Sequence, residues 1–438
     1  MKLNEIQFIV KPGGKFNGKI VVPGDKSISH RSVMFGALAE GVTTVEGFLE
    51  GEDSLATLQA FRDMGVQVEG PNDGRLTIHG VGLRGLNAPL EPLNVGNSGT
   101  SMRLLSGILA GQSFDSTLIG DASLSKRPMR RVTEPLAIMG VQVDSSESGT
   151  APLTIHGGAA IKAMSYDMPM ASAQVKSCVL LAGLYADGQT CVSEPGITRD
   201  HTERMLRAFD YEVTVDANRV CLNGGGKLTG THIVVPSDIS SAAFFLVGAA
   251  ITPGAELVLK QVGMNPTRTG VIDILKLMGA SLSVSNEQTL GGEPVADITV
   301  KASQLKGINI PHEFVPLAID EFPALFIAAA CAQGKTLLTG AEELRVKESD
   351  RIQVMADGLH EIGVKVKVLP DGIEIDGQDA LGGGEVQSHG DHRIAMAFAI
   401  AGLRATANIT INDCANVATS FPNFIQLCQQ CGLEIEKR

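Results

Sequence analysis

The chain has 438 residues, and 36 Lys and Arg against 48 Asp and Glu give a formal net charge of −12. With 44% hydrophobic and 19% charged residues it cannot be a disordered chain, and its acidic balance argues against non-specific binding to nucleic acid or to a membrane surface. The length suits two domains or one large one, and the longest apolar runs, Ala242–Ile251 and Pro323–Ala332, fall far short of the roughly 20 residues of a spanning helix.

The first residues, Met1–Val10, mix Lys, Asn, Glu and Gln with apolar side chains and lack a signal-peptide core. Gly13-Gly14-Lys15-Phe16-Asn17-Gly18-Lys19 approaches a phosphate-binding loop, but Ile20 replaces the Ser or Thr that would hold magnesium and no helix follows. Lys19–Val22 reads as a strand. Residues 1–22 are therefore expected to form a strand pair that completes the last repeat of the chain. A first boundary falls at Pro23-Gly24, where Gly24-Asp25-Lys26-Ser27-Ile28-Ser29-His30-Arg31 opens a helix that ends at Ala37–Gly41.

Met64-Gly65-Val66-Gln67-Val68 then ends a helix at a Gly suited to the left-handed C′ position and enters a strand. A turn at Asn72-Asp73-Gly74 leads to a second strand, Arg75–His79. Gly80–Gly85 matches the GxGxxG text of dinucleotide sites, but Leu86-Asn87-Ala88-Pro89 follows where a helix would have to open. Gly96-Asn97-Ser98-Gly99-Thr100-Ser101-Met102-Arg103 opens the next helix, Ser125-Lys126-Arg127-Pro128 follows, and Met139-Gly140-Val141-Gln142-Val143 repeats the helix-to-strand phrase. A third helix start, Ser172-Ala173-Gln174-Val175-Lys176, runs into Leu181–Gly188, and the phrase returns as Phe209-Asp210-Tyr211-Glu212-Val213.

After the strand Ile233–Val235 a second boundary falls at Pro236-Ser237. Three further copies of the phrase follow, around Gly279, Gly363 and Gly432. The six second positions are spaced by 75, 70, 69, 84 and 69 residues, so the chain is a sixfold repeat of mixed α/β units, three per half. Residues 1–22 plus 237–438 are expected to form a discontinuous domain and 23–236 an inserted one, with an active site in the cleft between them. Within the second half, Asp320-Glu321-Phe322-Pro323 opens an apolar helix ending at Ala328–Gly334. Glu343–Arg351 is dense in charge, and Gly390-Asp391-His392-Arg393 opens the helix Ile394–Leu403. Seven cysteines, an odd number, suggest reduced thiols in a cytoplasm, and Cys428 and Cys431 sit at the wrong end of a helix for a redox pair. His389, Asp391 and His392 lack further ligands at metal-binding spacing.

Basic residues at helix starts oppose the helix dipole, so their recurrence there needs a cause. Gly, Ser, Thr and Asn offer backbone and hydroxyl donors, Lys and Arg add charge, and four such phrases at corresponding places of the repeat converge on an electropositive cleft for phosphates and carboxylates. Asp320 at a helix start and the Glu343–Arg351 segment add titratable groups.

The phrases Pro23–Arg31, Asn97-Ser98-Gly99-Thr100, Arg345-Val346-Lys347-Glu348-Ser349-Asp350-Arg351 and Gly390–Arg393 resemble the 5-enolpyruvylshikimate-3-phosphate synthase family, from Pro23 to Phe421-Pro422. The resemblance implies a two-domain inside-out α/β barrel of the enolpyruvyl transferase type, with six βαβαββ-like repeats, three per domain. It implies transfer of the enolpyruvyl group of phosphoenolpyruvate to the 5-hydroxyl of shikimate 3-phosphate, in the cytoplasm, with no metal, no organic cofactor, no nucleic acid and no membrane, by a chain expected to be a monomer. By position, Lys26, Ser27, Arg31, Ser172, Ala173, Gln174, Arg199, Asp320 and Lys347 match contacts to shikimate 3-phosphate. Lys26, Gly99, Arg127, Gln174, Arg351 and Arg393 match the phosphoenolpyruvate pocket. Asp320, Glu348 and Lys26 match the catalytic groups. Ala173 stands where part of the family has Ser, Glu343 where some members have Asn, and Thr419 where some have Lys, as in a divergent bacterial branch. The nearest alternatives are UDP-N-acetylglucosamine enolpyruvyl transferase, which prefers Asn after the first Lys and a reactive loop Cys, and an RNA-end-processing enzyme of related fold, which −12 and 18 aromatics disfavour.

Overall fold

All six repeated phrases turn the chain through a left-handed residue: φ is +87° at Gly65, +89° at Gly140, +90° at Gly279, +82° at Gly363 and +105° at Gly432, and Asp210 takes +62°. A Cβ is disfavoured there except on Asn or Asp, which explains both the glycines and the one exception. The computed structural model describes residues 6–438, so the start of the expected N-terminal strand pair lies outside the described residues. The chain divides into two compact units. The inserted unit is Gly24–Val235 with Leu290–Gly292, and the discontinuous unit is the segment to Pro23 with Pro236–Thr289 and Glu293–Arg438.

Each repeat contributes one inner and one outer helix. In the inserted unit these are α1 (Lys26–Leu38) and α2 (Glu52–Asp63), α3 (Gly99–Ala110) and α4 (Arg130–Ile138), and α5 (Ala173–Gly183) and α6 (His201–Ala208). In the discontinuous unit they are α7 (Ile239–Ile251) and α8 (Gly270–Leu277), α9 (Phe322–Ala330) and α10 (Arg351–Glu361), and α11 (His392–Ala401) and α12 (Phe424–Cys431). The inner helices are buried nearly all round. Every residue of α7, α9 and α11 is buried, and these three pack on one another, while α3 packs on both α1 and α5. Their many Ala, Gly and Ser residues let the backbones approach closely. Three sheets surround them in each unit, so each is an α/β barrel turned inside out, with helices at the centre.

The sheets share one pattern. Ser165–Asp167 pairs parallel with Gln189–Ser193 across α5, and that strand pairs antiparallel with Arg219–Asn223, which in turn pairs with Thr214–Asp216. Phe8–Val10 pairs with Ile409–Asn412 and Ile435–Lys437, completing the last repeat as expected. Gly18–Ile20 departs from that expectation, because it pairs parallel with Glu256–Gly263 in the fourth repeat, while His232–Val234 pairs parallel with Ala39–Glu46 in the first. The chain changes unit between each of these strands and the helix after it. Each strand therefore stays behind and completes a repeat of the unit that the chain is leaving.

A second correction concerns the thiols. Cys191 and Cys221 face each other on antiparallel strands with Cα atoms 4.1 Å apart and are joined by a disulfide, where the sequence suggested only reduced cysteines. They lie 30 residues apart, so only the strand register reveals the pair. Burial pushes the thiols of Cys178, Cys331, Cys414 and Cys431 up to about 12. Among the described residues, no helix is long and apolar enough to cross a membrane.

Candidate active site

The phrases singled out in the sequence do open helices, and each is capped by its own side chain. Asp25 Oδ1 accepts from Ile28 N at 2.9 Å, Ser98 Oγ from Ser101 N at 3.1 Å and Ser172 Oγ from Val175 N at 3.4 Å. In the discontinuous unit, Asp350 caps α10 through Gln353 N at 3.1 Å and Asp391 caps α11 through Arg393 N at 3.0 Å. The acidic or hydroxyl cap satisfies the helix end and leaves the basic residue after it for other work.

In the inserted unit the cations gather at the starts of α1, α3 and α5. Lys26 Nζ lies 3.0 Å from Asp53 Oδ2 at the start of α2. Arg31 is buried and donates to Thr202 Oγ1 at 2.8 Å, Ser177 Oγ at 2.9 Å and the carbonyl of Ser27 at 3.0 Å. That grip fixes a guanidinium one helical turn behind Ser27. Arg127 donates to Asn97 Oδ1 at 2.7 Å, and Asn97 in turn donates to Asp121 Oδ2 at 2.7 Å. A Cβ on Gly99 would come within 3.2 Å of Arg127 and 3.3 Å of Arg103, so the glycine makes room for two guanidinium groups. Gln174 is held from both sides, accepting from Arg103 Nη1 and donating to Thr100 Oγ1 at 3.0 Å. Ser172 and Ala173 begin α5 beside it, and half-buried Arg199 precedes α6.

One basic residue counted toward the electropositive pattern does not belong to it. Lys176 is 1% exposed and ion-paired at 2.7 Å with both Glu194 and Glu203, so its charge is spent inside the unit. Its partners lie far along the chain, where local pattern is silent. Arg103, Asp53, Ser177 and Thr202 were not assigned roles from sequence. For Arg103 a signal existed, as it closes the Gly96–Arg103 phrase.

In the discontinuous unit a second set converges on Arg351. This side chain is 1% exposed and reaches Glu348 Oε2 at 2.6 Å, Asp391 Oδ2 at 2.8 Å and Asp320 Oδ1 at 3.3 Å. Burial opposes its charge, but the carboxylates of Asp391, Glu348 and Asp320 outweigh that and raise its pKa. Lys347 Nζ lies 3.6 Å from both Asp320 Oδ1 and Glu343 Oε1. Arg393 Nη1 donates to the carbonyl of Asp320 at 3.0 Å. Asp320 is not a helix cap, since Glu321 holds that position on α9 and makes no capping bond. Glu348 pairs with Arg351 instead of the adjacent Lys347. Thr419 is buried and donates to Asn416 O at 2.7 Å within its own turn. Among the described residues, no group of three or more His, Cys, Asp or Glu is placed to hold a metal ion.

The inserted unit thus offers cations with hydroxyl and amide donors, a set suited to binding phosphate and carboxylate. The discontinuous unit offers two partly exposed carboxylates, Asp320 and Glu348, gripped by Arg351, a set suited to moving protons beside an anion. Comparison with known proteins gives this chemistry a context. The model of EPSP synthase (3-phosphoshikimate 1-carboxyvinyltransferase) matches residues 10–427. The 3-phosphoshikimate 1-carboxyvinyltransferase of Methylococcus capsulatus is 65% identical over 432 residues, 99% of each chain. That of Alkalilimnicola ehrlichii is 63% identical, covering 99% of this chain and 97% of its own. The solved EPSP synthase of Acinetobacter baumannii is 62% identical, with a TM-score of 0.89 over 99% of this chain and 100% of that one. The enolpyruvyl transferase NikO of Streptomyces tendae has a TM-score of 0.81 over 99% of each chain at 15% identity, a likeness of fold.

Proposed function

The chain belongs to the EPSP synthase family, and from that premise we propose how its two sets of residues divide one reaction. The enzyme transfers the enolpyruvyl group of phosphoenolpyruvate to the 5-hydroxyl of shikimate 3-phosphate and releases phosphate, a step of aromatic amino-acid synthesis in the cytoplasm. Lys26, Ser27, Arg31, Ser172, the backbone of Ala173, Gln174 and Arg199 hold shikimate 3-phosphate, with Asp320 and Lys347 at its reacting side. Lys26, Gly99, Arg127, Gln174, Arg351 and Arg393 hold phosphoenolpyruvate.

Both substrates are anions and repel each other, so these cations must neutralise them before the reacting atoms can meet. The double bond of phosphoenolpyruvate is rebuilt in the product, which requires a proton to be added at the methylene carbon and later removed. Asp320 takes the proton of the 5-hydroxyl as its oxygen bonds to C2. Glu348, with Lys26, supplies the proton to the methylene carbon and recovers one as the C2–phosphate bond breaks. The observation that supports this reading is the grip of Arg351 on both carboxylates, which holds Asp320 and Glu348 beside one guanidinium. Phosphate release from phosphoenolpyruvate tests the assignment. It should require shikimate 3-phosphate, and release only with UDP-N-acetylglucosamine as acceptor would overturn the reading.

A further inference from the structure

The starts of α7 and α9 carry a buried charged cluster for which the reaction as described has no use. Glu321 is 0% exposed, yet it does not cap the helix it begins. Ser240 Oγ donates to Glu321 Oε1, and Arg268 Nη2 lies 3.8 Å from the same oxygen. Arg268, buried as well, donates to Ser240 Oγ at 2.6 Å and to Asp238 Oδ1 at 3.1 Å. Asp238 caps α7 by accepting from Ser240 N at 2.9 Å. The second carboxylate oxygen of Glu321, Oε2, is buried with no hydrogen-bond partner among the described residues.

These contacts set one guanidinium against two carboxylates and leave an acceptor orphaned. Such a cluster is a poor source of stability, since apolar side chains of similar volume would escape the cost of desolvating the charges. Its position suggests a different use. Glu321 directly follows Asp320, whose carbonyl is held by Arg393 of α11 and whose carboxylate faces Arg351 and Lys347. The main chain at this point is therefore tied to α11 on one side and, through Glu321, Ser240 and Arg268, to α7 and the segment before α8 on the other.

We propose that Glu321 and Arg268 are positioning residues that fix the main chain at Asp320 and so aim its carboxylate at the acceptor hydroxyl. The inference rests on the reading of Asp320 as the base. A shift of about 1 Å at a reacting group can cost on the order of a hundredfold in rate, so a buried clamp on the neighbouring residue acts on turnover more than on binding.

Glu321→Gln keeps the shape and removes the charge. Single-turnover phosphate release should slow about tenfold or more, while shikimate 3-phosphate binding by titration changes by less than about threefold. In an Asp320→Asn background the same substitution should add almost no further loss, because a residue that acts only through Asp320 has nothing left to position. Arg268→Lys should show the same pattern. Normal turnover in Glu321→Gln, with or without a lower melting temperature, overturns the inference, as does a full additional loss in the Asp320→Asn background. If Glu321→Gln does not fold, Ser240→Ala enters the same cycle, and normal turnover there overturns the inference equally. Near-normal turnover in Asp320→Asn alone would instead remove the reading on which it rests.

Discussion

Replacing Arg351 by Met keeps most of the buried stem and removes the guanidinium. Three carboxylates then lose a partner, but they are not equally stranded: side-chain exposure is 0% at Asp391, 15% at Asp320 and 21% at Glu348. The latter two can be partly rehydrated, whereas Asp391 cannot. Breaking a buried pair by deleting one partner costs about 3–5 kcal/mol, and with one fully buried partner stranded we expect about 3–4. At roughly 2–4 °C per kcal/mol for a domain of this size, the melting temperature of the discontinuous unit should fall by about 6–16 °C. Adding Asp391→Asn should return most of the loss, since no charge then remains buried alone and Asn caps α11 about as well as Asp. Calorimetry on both single variants and the double variant reads this directly. A loss below about 1 kcal/mol for Arg351→Met, or a double variant no more stable than that single one, would refute the reasoning.

Two further outcomes follow from the same geometry. Arg127→Ala and Arg393→Ala should each weaken phosphoenolpyruvate by about one to two decades and shikimate 3-phosphate much less, as expected for loss of a charge-assisted bond; titration showing the reverse order would mean the two pockets are exchanged. Burial first, and then the charges of Lys26 and Arg31, hold the buried His30 well below its ordinary pKa. The unfolded chain therefore binds that proton first, so stability is intact above the unfolded pKa near 6.5 and falls as the pH drops below it. His30→Asn should narrow the stability gap between pH 7.5 and 5.5, and an unchanged gap would contradict the assignment.

The repeat was legible because its cause is local. A helix that must turn sharply into a strand needs a left-handed residue, and Gly65, Gly140, Asp210, Gly279, Gly363 and Gly432 mark those turns in the sequence itself. The helix starts at Lys26, Gly99, Ala173 and His392 were legible for the same reason, since cap and basic residue are neighbours in sequence. What escaped depends on contacts between distant segments. The exchange of Gly18–Ile20 and His232–Val234 between repeats follows from where the chain changes unit, the Cys191–Cys221 pair from strand register, and the neutralisation of Lys176 from Glu194 and Glu203. Asp320 stands at a helix start, where a carboxylate can also serve as a cap, and only the helix boundary at Glu321 removes that role.

The division of labour between Asp320 and Glu348 is tested most directly by deuterium incorporation from heavy water into the methylene group of phosphoenolpyruvate during turnover with shikimate 3-phosphate. Glu348→Gln retains shape and loses ionisation, so incorporation should fall by on the order of a hundredfold or more while shikimate 3-phosphate still binds. Incorporation at the unsubstituted rate would contradict the assignment and leave Glu348 as a structural partner of Arg351.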